Sequence, residues 1–133
     1  MKKILIVDDE VQVVELISVT LRLNSYTRLE AMHASQALEQ IAKNKPDLII
    51  LDLMLPGESG FSVFKKIRAS ETSRDIPVVF LTAMSDDQIQ KHLTEITGAM
   101  IFKKPWDVME LLSAIQTLIA AAEKRDQKES SAS

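Results

Sequence analysis

The chain has 133 residues, 46% of them hydrophobic and 26% charged, with a formal net charge of −3 and no cysteine. That is the size and composition of one globular domain, and it excludes global disorder, a disulfide framework and a cysteine-based metal site. The apolar runs are too short to span a membrane, the mild negative charge gives no electrostatic reason for nucleic-acid binding, and the cytoplasm is the default compartment.

The chain opens with two lysines and a short apolar run at residues 4–7, which acids end at once, so the run reads as a strand and not as a signal peptide. Val14, Ile17 and Leu21 then share one helical face. Residues 27–33 have a mixed pattern that predicts a weaker strand at a sheet edge, and Ala34, Ala37, Leu38 and Ile41 mark a second helix. Pro46 precedes a continuous apolar run at 48–51, and Pro56-Gly57 turns the chain into a helix carrying Phe61, Phe64 and Ile67. Pro77 precedes a fourth strand at 78–81, followed by Ser85-Asp86 as N-cap and a helix bearing Ile89, Leu93 and Ile96. Gly98 precedes a fifth strand at 99–102, and Asp107 caps a last helix with Val108, Leu111, Leu112, Ile115, Leu118 and Ile119 on one face. Continuous apolar runs suit strands buried on both faces of a parallel sheet. Five strands alternating with five helices therefore predict an α/β three-layer sandwich with right-handed crossovers. After Ala122 the pattern stops, giving a domain at 1–122 and a polar stretch at 123–133 that reads as a flexible tail or a linker to a further domain.

Ligand sites in open α/β sheets form outside the carboxyl ends of the strands. Here the first strand ends at Asp8-Asp9, the third at Asp52, the fourth at Thr82 and the fifth at Lys103-Lys104-Pro105. Three carboxylates, a hydroxyl and an ammonium thus converge on one edge. Two carboxylates about 4 Å apart repel by roughly 4 kcal/mol at an effective dielectric near 20, so such a group takes up protons or binds a cation. Without His or Cys partners the site suits a hard ion, Mg²⁺ above all. Phosphoryl transfer needs mainly positioning and charge neutralisation, which this inventory supplies. Asp52 is the expected nucleophile, forming an aspartyl-phosphate. Asp9 and Asp52, with Asp8 farther out, are the expected metal residues, and Lys104 and Thr82 the expected partners of the phosphoryl oxygens.

The set IVDDE, LDLMLPGESG, LTA and KKPW, in this order, resembles the receiver domain of two-component response regulators, of the chemotaxis-regulator-like kind, over residues 2 to about 121. The resemblance implies a flavodoxin-like fold with strand order 2-1-3-4-5 and phosphoryl transfer from the phosphohistidine of a sensor histidine kinase or phosphotransfer protein. It makes Asp52 the phosphoacceptor, Asp8 and Asp9 the acidic metal pair, the Met54 carbonyl a further metal ligand, Thr82 the switch hydroxyl and Lys104 the phosphate-binding lysine, with a cis peptide before Pro105. It also implies a downstream protein target or a covalently linked output domain, and a monomer or a phosphorylation-dependent dimer.

Two positions depart from the family pattern. The switch aromatic, three residues before the lysine, is Ile101, and the adjacent Phe102 points to the opposite face of its strand. Met54 and Met84 stand two residues after Asp52 and Thr82, where apolar side chains would hinder an attacking water and slow dephosphorylation. An aspartate-nucleophile phosphatase needs a second acid at the Met54 position, and a flavodoxin-type cofactor binder needs a phosphate loop where Asp8-Asp9-Glu10 stands. A degenerate receiver is disfavoured by the complete Asp8, Asp9, Asp52, Thr82 and Lys104 set. Lys103 is assigned to solvent or a partner surface, His33 and His92 to surface or edge positions, and Trp106 to packing on the last helix or to a partner contact.

Overall fold

The computed structural model describes residues 1–96 and 99–132. Five parallel strands form one sheet in the order β2-β1-β3-β4-β5: β1 Lys3–Val7, β2 Thr27–Ala31, β3 Leu48–Asp52, β4 Val78–Thr82 and β5 Met100–Lys103. The continuous apolar strands β3 and β4 are buried at every position, while β2 and β5 lie at the edges and are partly exposed. Alternate residues feed two cores. Ile4, Ile6, Leu48, Ile50, Val79 and Leu81 pack with α1 (Val11–Leu23) and α5 (Val108–Ala132). Leu5, Val7, Ile49, Leu51, Val78 and Phe80 pack with α2 (Ala34–Asn44), α3 (Gly60–Ala69) and α4 (Asp86–Gln90). This is the three-layer sandwich that the hydrophobic pattern predicts. Gly98, expected to bound β5, lies outside the described residues.

Two helices differ from expectation. The fourth is a short α4 followed by a 3₁₀ turn at Leu93–Ile96. Both helix types bring residues three apart onto neighbouring positions, so the apolar spacing did not distinguish them. Ile89 and Ile96 are buried as expected, and the Leu93 side chain lies outside the described residues. Ser85 caps α4 by accepting from the Gln88 N–H, and the Gln88 side chain accepts in return from the Ser85 N–H at 2.9 Å. The second difference is α5, which continues through the polar stretch to Ala132, although Ile119 is its last buried apolar residue among those described. Glu, Lys, Arg, Gln and Ala are good helix formers, so helicity outlasts the apolar stripe that signals burial. Arg125 donates to the Asp75 carbonyl at 2.9 Å and Lys2 pairs with Glu123 at 3.2 Å, which ties this extension to the end of the sheet away from the strand carboxyl termini. Asp107 caps α5 at Glu110 N–H, 3.0 Å, and Trp106 packs half-buried on the α1/α5 core. No described helix is long and apolar enough to cross a membrane.

The turn after β3 is held by close backbone packing. The Gly60 N–H donates to the Leu53 carbonyl at 3.0 Å, and a Cβ built on Gly60 would stand 2.6 Å from Leu53 Cα and nearer still to the Asp52 carbonyl oxygen. Only a residue without a side chain lets α3 begin there with the β3 end in place. Gly60→Ala is predicted to cost about 1–3 kcal/mol in urea denaturation, because the backbone of Asp52 and Leu53 has to shift. A variant as stable as the parent would show that the β3–α3 turn yields without resistance.

Candidate functional site

The carboxyl ends of β1, β3 and β4 each carry a buried polar side chain: Asp8 is 2% exposed, Asp52 3% and Thr82 0%. All three bend the chain in the same way. The Glu10 N–H donates to Asp8 Oδ1 at 2.9 Å, the Met54 N–H to Asp52 Oδ1 at 3.0 Å, and the Met84 N–H to Thr82 Oγ1 at 3.1 Å. Short polar side chains that accept from the backbone two residues on start turns where strands end. The pattern also fixes orientation. With Oδ1 of each aspartate committed to the backbone, Oδ2 faces the pocket, and Lys104 Nζ lies 2.9 Å from Asp8 Oδ2 and 3.2 Å from Asp52 Oδ2. Thr82 Oγ1 accepts from the backbone and keeps its own proton for donation.

A third carboxylate completes the group. Glu10 Oε1 is 2.8 Å from Lys104 Nζ, and single oxygens of Asp8, Glu10 and Asp52 lie within 4.8 Å of one another. Asp9, expected at the metal, is exposed and adds no oxygen to this cluster, whereas Glu10 does. The sequence carried the signal, as Glu10 is the third acid of the Asp8-Asp9-Glu10 run, but strand-end logic stopped at the first two. The N–H bond from Glu10 to Asp8 is what brings Glu10 back to the edge.

The electrostatics follow from burial and crowding. Burial raises the Asp52 carboxyl above the ordinary aspartate range; the Met54 N–H opposes this, Asp8 adds to it by repulsion, and Lys104 counters. Burial alone would lower the Lys104 ammonium, but its bonds to Glu10 and Asp8 and the charges of Asp52 and Asp8 outweigh that and raise it. Lys104 is therefore cationic at every relevant pH. The donor set is all oxygen, and the buried Oδ2 atoms of Asp8 and Asp52 fit a hard divalent cation. A cation bound by both must compete with the Lys104 ammonium for the same two oxygens.

The remaining expected residues fall as follows. Lys104-Pro105 is a cis peptide. Lys103 is half-exposed and pairs with Asp86 at 3.0 Å. Ile101 packs on the α2/α3/α4 core and Phe102 on the opposite one, so the strand turns the Phe102 ring away from the Ile101 face. Met54 is 54% exposed beside Asp52, whereas Met84 is buried in the core with Ile89 and Ile96. Only one of the two expected methionine guards therefore lies at the surface. His33 caps α2 by accepting from the Gln36 N–H, and His92 stacks on Phe61 with ring centroids 4.2 Å apart, roles that the sequence did not reveal.

One consequence concerns stability. Asp52 has a higher pKa folded than unfolded, so its ionised form costs stability at neutral pH, and the cost disappears as the pH falls through the raised value. Asp52→Asn is predicted to raise the melting temperature in metal-free buffer at neutral pH by a few degrees, with the gain shrinking toward the ordinary carboxylate range. Calorimetry over that pH range checks it, and a lowered melting temperature at neutral pH would contradict it.

Comparison with known proteins agrees with this geometry. The sequence profile of the response regulator receiver domain matches residues 4–116. The phosphate regulon transcriptional regulatory protein PhoB of Pseudomonas aeruginosa is 37% identical over 118 residues, 89% of this chain and 52% of that protein. The DNA-binding dual master transcriptional regulator RpaA of Synechocystis is 33% identical over 124 residues, 93% of this chain and 52% of that protein. The chain thus spans about half the length of the curated relatives it matches. Among solved structures, a Francisella response regulator receiver domain superposes with a TM-score of 0.79 at 26% identity, covering 91% of this chain and 98% of that one. The chemotaxis protein CheY4 of Vibrio cholerae superposes with a TM-score of 0.78 at 29% identity, covering 89% and 98%. With its sheet order, its buried strand-end aspartates and the lysine before a cis proline, the chain belongs to the response regulator receiver domain family.

Proposed function

We propose that the chain is a phosphorylation-dependent signalling switch that accepts a phosphoryl group on Asp52 from the phosphohistidine of a sensor histidine kinase or phosphotransfer protein. The observation that carries this reading is a carboxylate only 3% exposed at a strand end, with a lysine ammonium 3.2 Å away. A carboxylate oxygen of Asp52 attacks phosphorus, the O–P bond forms, the P–N bond breaks, and the imidazole leaves with the electron pair. Lys104 then holds a phosphoryl oxygen in place of a carboxylate, and the Thr82 hydroxyl donates to another. Mg²⁺ is the expected cofactor, which Asp9 and Asp52 would hold with Asp8 farther out and the Met54 carbonyl as a further ligand, in the assignment carried by the family resemblance; when bound, it would neutralise charge on the phosphoryl group.

The domain acts on itself and turns over no separate substrate, and its phosphorylated state biases a two-state equilibrium that partners read. The output is a downstream protein target or a covalently linked domain. Relatives of twice this length named as transcriptional regulators favour the linked arrangement, with the receiver at about 1–122 and the following residues leading onward. On this reading the receiver itself binds no nucleic acid, works in the cytoplasm, and is a monomer or a phosphorylation-dependent dimer.

Incubation with acetyl phosphate and Mg²⁺, read by intact mass, is predicted to give a single phosphoryl adduct that is lost with a chelator and lost in Asp52→Asn. An adduct that persists in Asp52→Asn refutes Asp52 as acceptor, and no adduct on the parent protein refutes the reading as a whole.

A further inference from the structure

The outer face of α1 is apolar and is covered by no other element of the chain. The inner face of this helix is Val14, Ile17, Ser18 and Leu21, all buried. The opposite face carries Leu16, Val19 and Leu23, which are 52%, 43% and 77% exposed. A surface helix ordinarily turns charged and polar residues to water on that side. Gln12, Leu16, Val19 and Leu23 instead recur at steps of four, three and four, the a/d seam of a helix pair. In that register Glu15 and Arg22 both take the g position along one edge of the seam, and Val13 and Thr20 the e position along the other. Among the described residues, neither Glu15 nor Arg22 has an ion-pair partner within the chain. Beside α1 on the same core, α5 carries no charged residue from Ser113 to Ala122 that would oppose a close approach.

We propose that this face binds the same face of a second copy of the chain, with the two α1 helices antiparallel about a two-fold axis. The charges select both the occupant and the direction. In an antiparallel pair g positions face g positions, and one register sets Leu16 against Val19 of the second copy and Gln12 against Leu23. That same register brings Glu15 of each copy to Arg22 of the other, twice by symmetry, while Val13 meets Thr20 on the far edge. A parallel pair would set g against e, which places Glu15 beside Thr20 and leaves Arg22 unmatched. The face is therefore complementary to itself in charge as well as in its apolar positions. A pair of 13-residue helices makes a small interface, so the association is weak, with a Kd on the order of 100 µM. None of these residues belongs to the strand-end pocket. The contact thus forms without phosphorylation, is separate from any phosphorylation-dependent dimer, and does not rest on the phosphoacceptor reading.

The test is sedimentation equilibrium on the metal-free, unphosphorylated chain over a concentration series that brackets that Kd. The parent chain is predicted to pass from monomer to dimer and no further, since a two-fold contact closes on itself. Glu15→Arg sets cation against cation and Arg22→Glu sets anion against anion. Each turns two attractions into two repulsions and is predicted to weaken association about ten-fold. Mixed in equal amounts, the two variants are predicted to pair about as tightly as the parent, because each supplies the charges that the other lacks. Leu16→Ser is predicted to weaken association in every combination. A parent chain that stays monomeric throughout overturns the proposal and leaves the stripe to a helix of a different protein. A dimer that neither charge reversal weakens also overturns it, because the contact then lies on another face. A mixture that associates no better than its separate components overturns the antiparallel register. Glu15, Leu16 and Arg22 are exposed, and a melting curve on each variant confirms folding; should either reversal fail to fold, Glu15→Lys and Arg22→Asp make the same pair.

Discussion

The structure at the sheet edge depends on one cation. Asp8 and Asp52 are almost fully buried and share a pocket, and at a few ångströms their mutual repulsion is worth roughly 4 kcal/mol at an effective dielectric near 20. Lys104 offsets it by placing a single ammonium within 3.2 Å of both, with Glu10 adding a third contact from the solvent side. Three negative charges against one positive still leave the pocket short of cation. That residual charge favours binding a metal; the raised Asp52 pKa comes first from burial, with repulsion from Asp8 adding to it. On the proposed function, a phosphoryl group is the ligand that would use the Lys104 ammonium and a metal together.

The fold makes this arrangement possible through rigidity. β1, β3 and β4 are hydrogen-bonded neighbours or next neighbours in the sheet, buried on both faces, so their ends keep fixed spacing. Each polar end is then aimed by a backbone N–H two residues on. Gly60 lets α3 start against the Asp52 backbone, which keeps that strand end from relaxing outward. At Thr82 the aromatic partner that the family resemblance implies for a switch hydroxyl is missing. The residue three before Lys104 is Ile101, a hydrocarbon within the α2/α3/α4 core, so coupling between the hydroxyl and an aromatic ring has no ring to act on in this chain.

Much of this was legible in the sequence, for physical reasons. Continuous apolar runs between Pro or Gly residues mark strands that see no solvent, and β3 and β4 are buried throughout. Reading the residue that ends each run located Asp8, Asp52, Thr82 and Lys104, because the ends of a parallel sheet converge whatever the helices do. What was not legible lay where tertiary geometry overrides spacing. The Ile89, Leu93, Ile96 pattern suits a 3₁₀ turn as well as an α-helix, and α5 continues past its last apolar contact because its polar residues are themselves helix formers. The contact of Glu10 with Lys104 was not legible because side-chain placement just beyond a strand depends on a turn bond, and alternation does not supply it. The burial of Met84 beside an exposed Met54 had the same cause: both follow a strand end by two residues, but one loop turns into the core and the other out of it.

The central claim is that Lys104 and a divalent cation compete for the inner oxygen of Asp52. The most direct measurement is nitrogen NMR of the Lys104 side-chain ammonium as metal-free protein is titrated with Mg²⁺, with the Asp52 backbone amide reporting occupancy in the same sample. The account predicts that the ammonium resonance moves in step with occupancy, as Lys104 leaves Asp52. An ammonium resonance that stays unchanged while the amide registers full occupancy would contradict it.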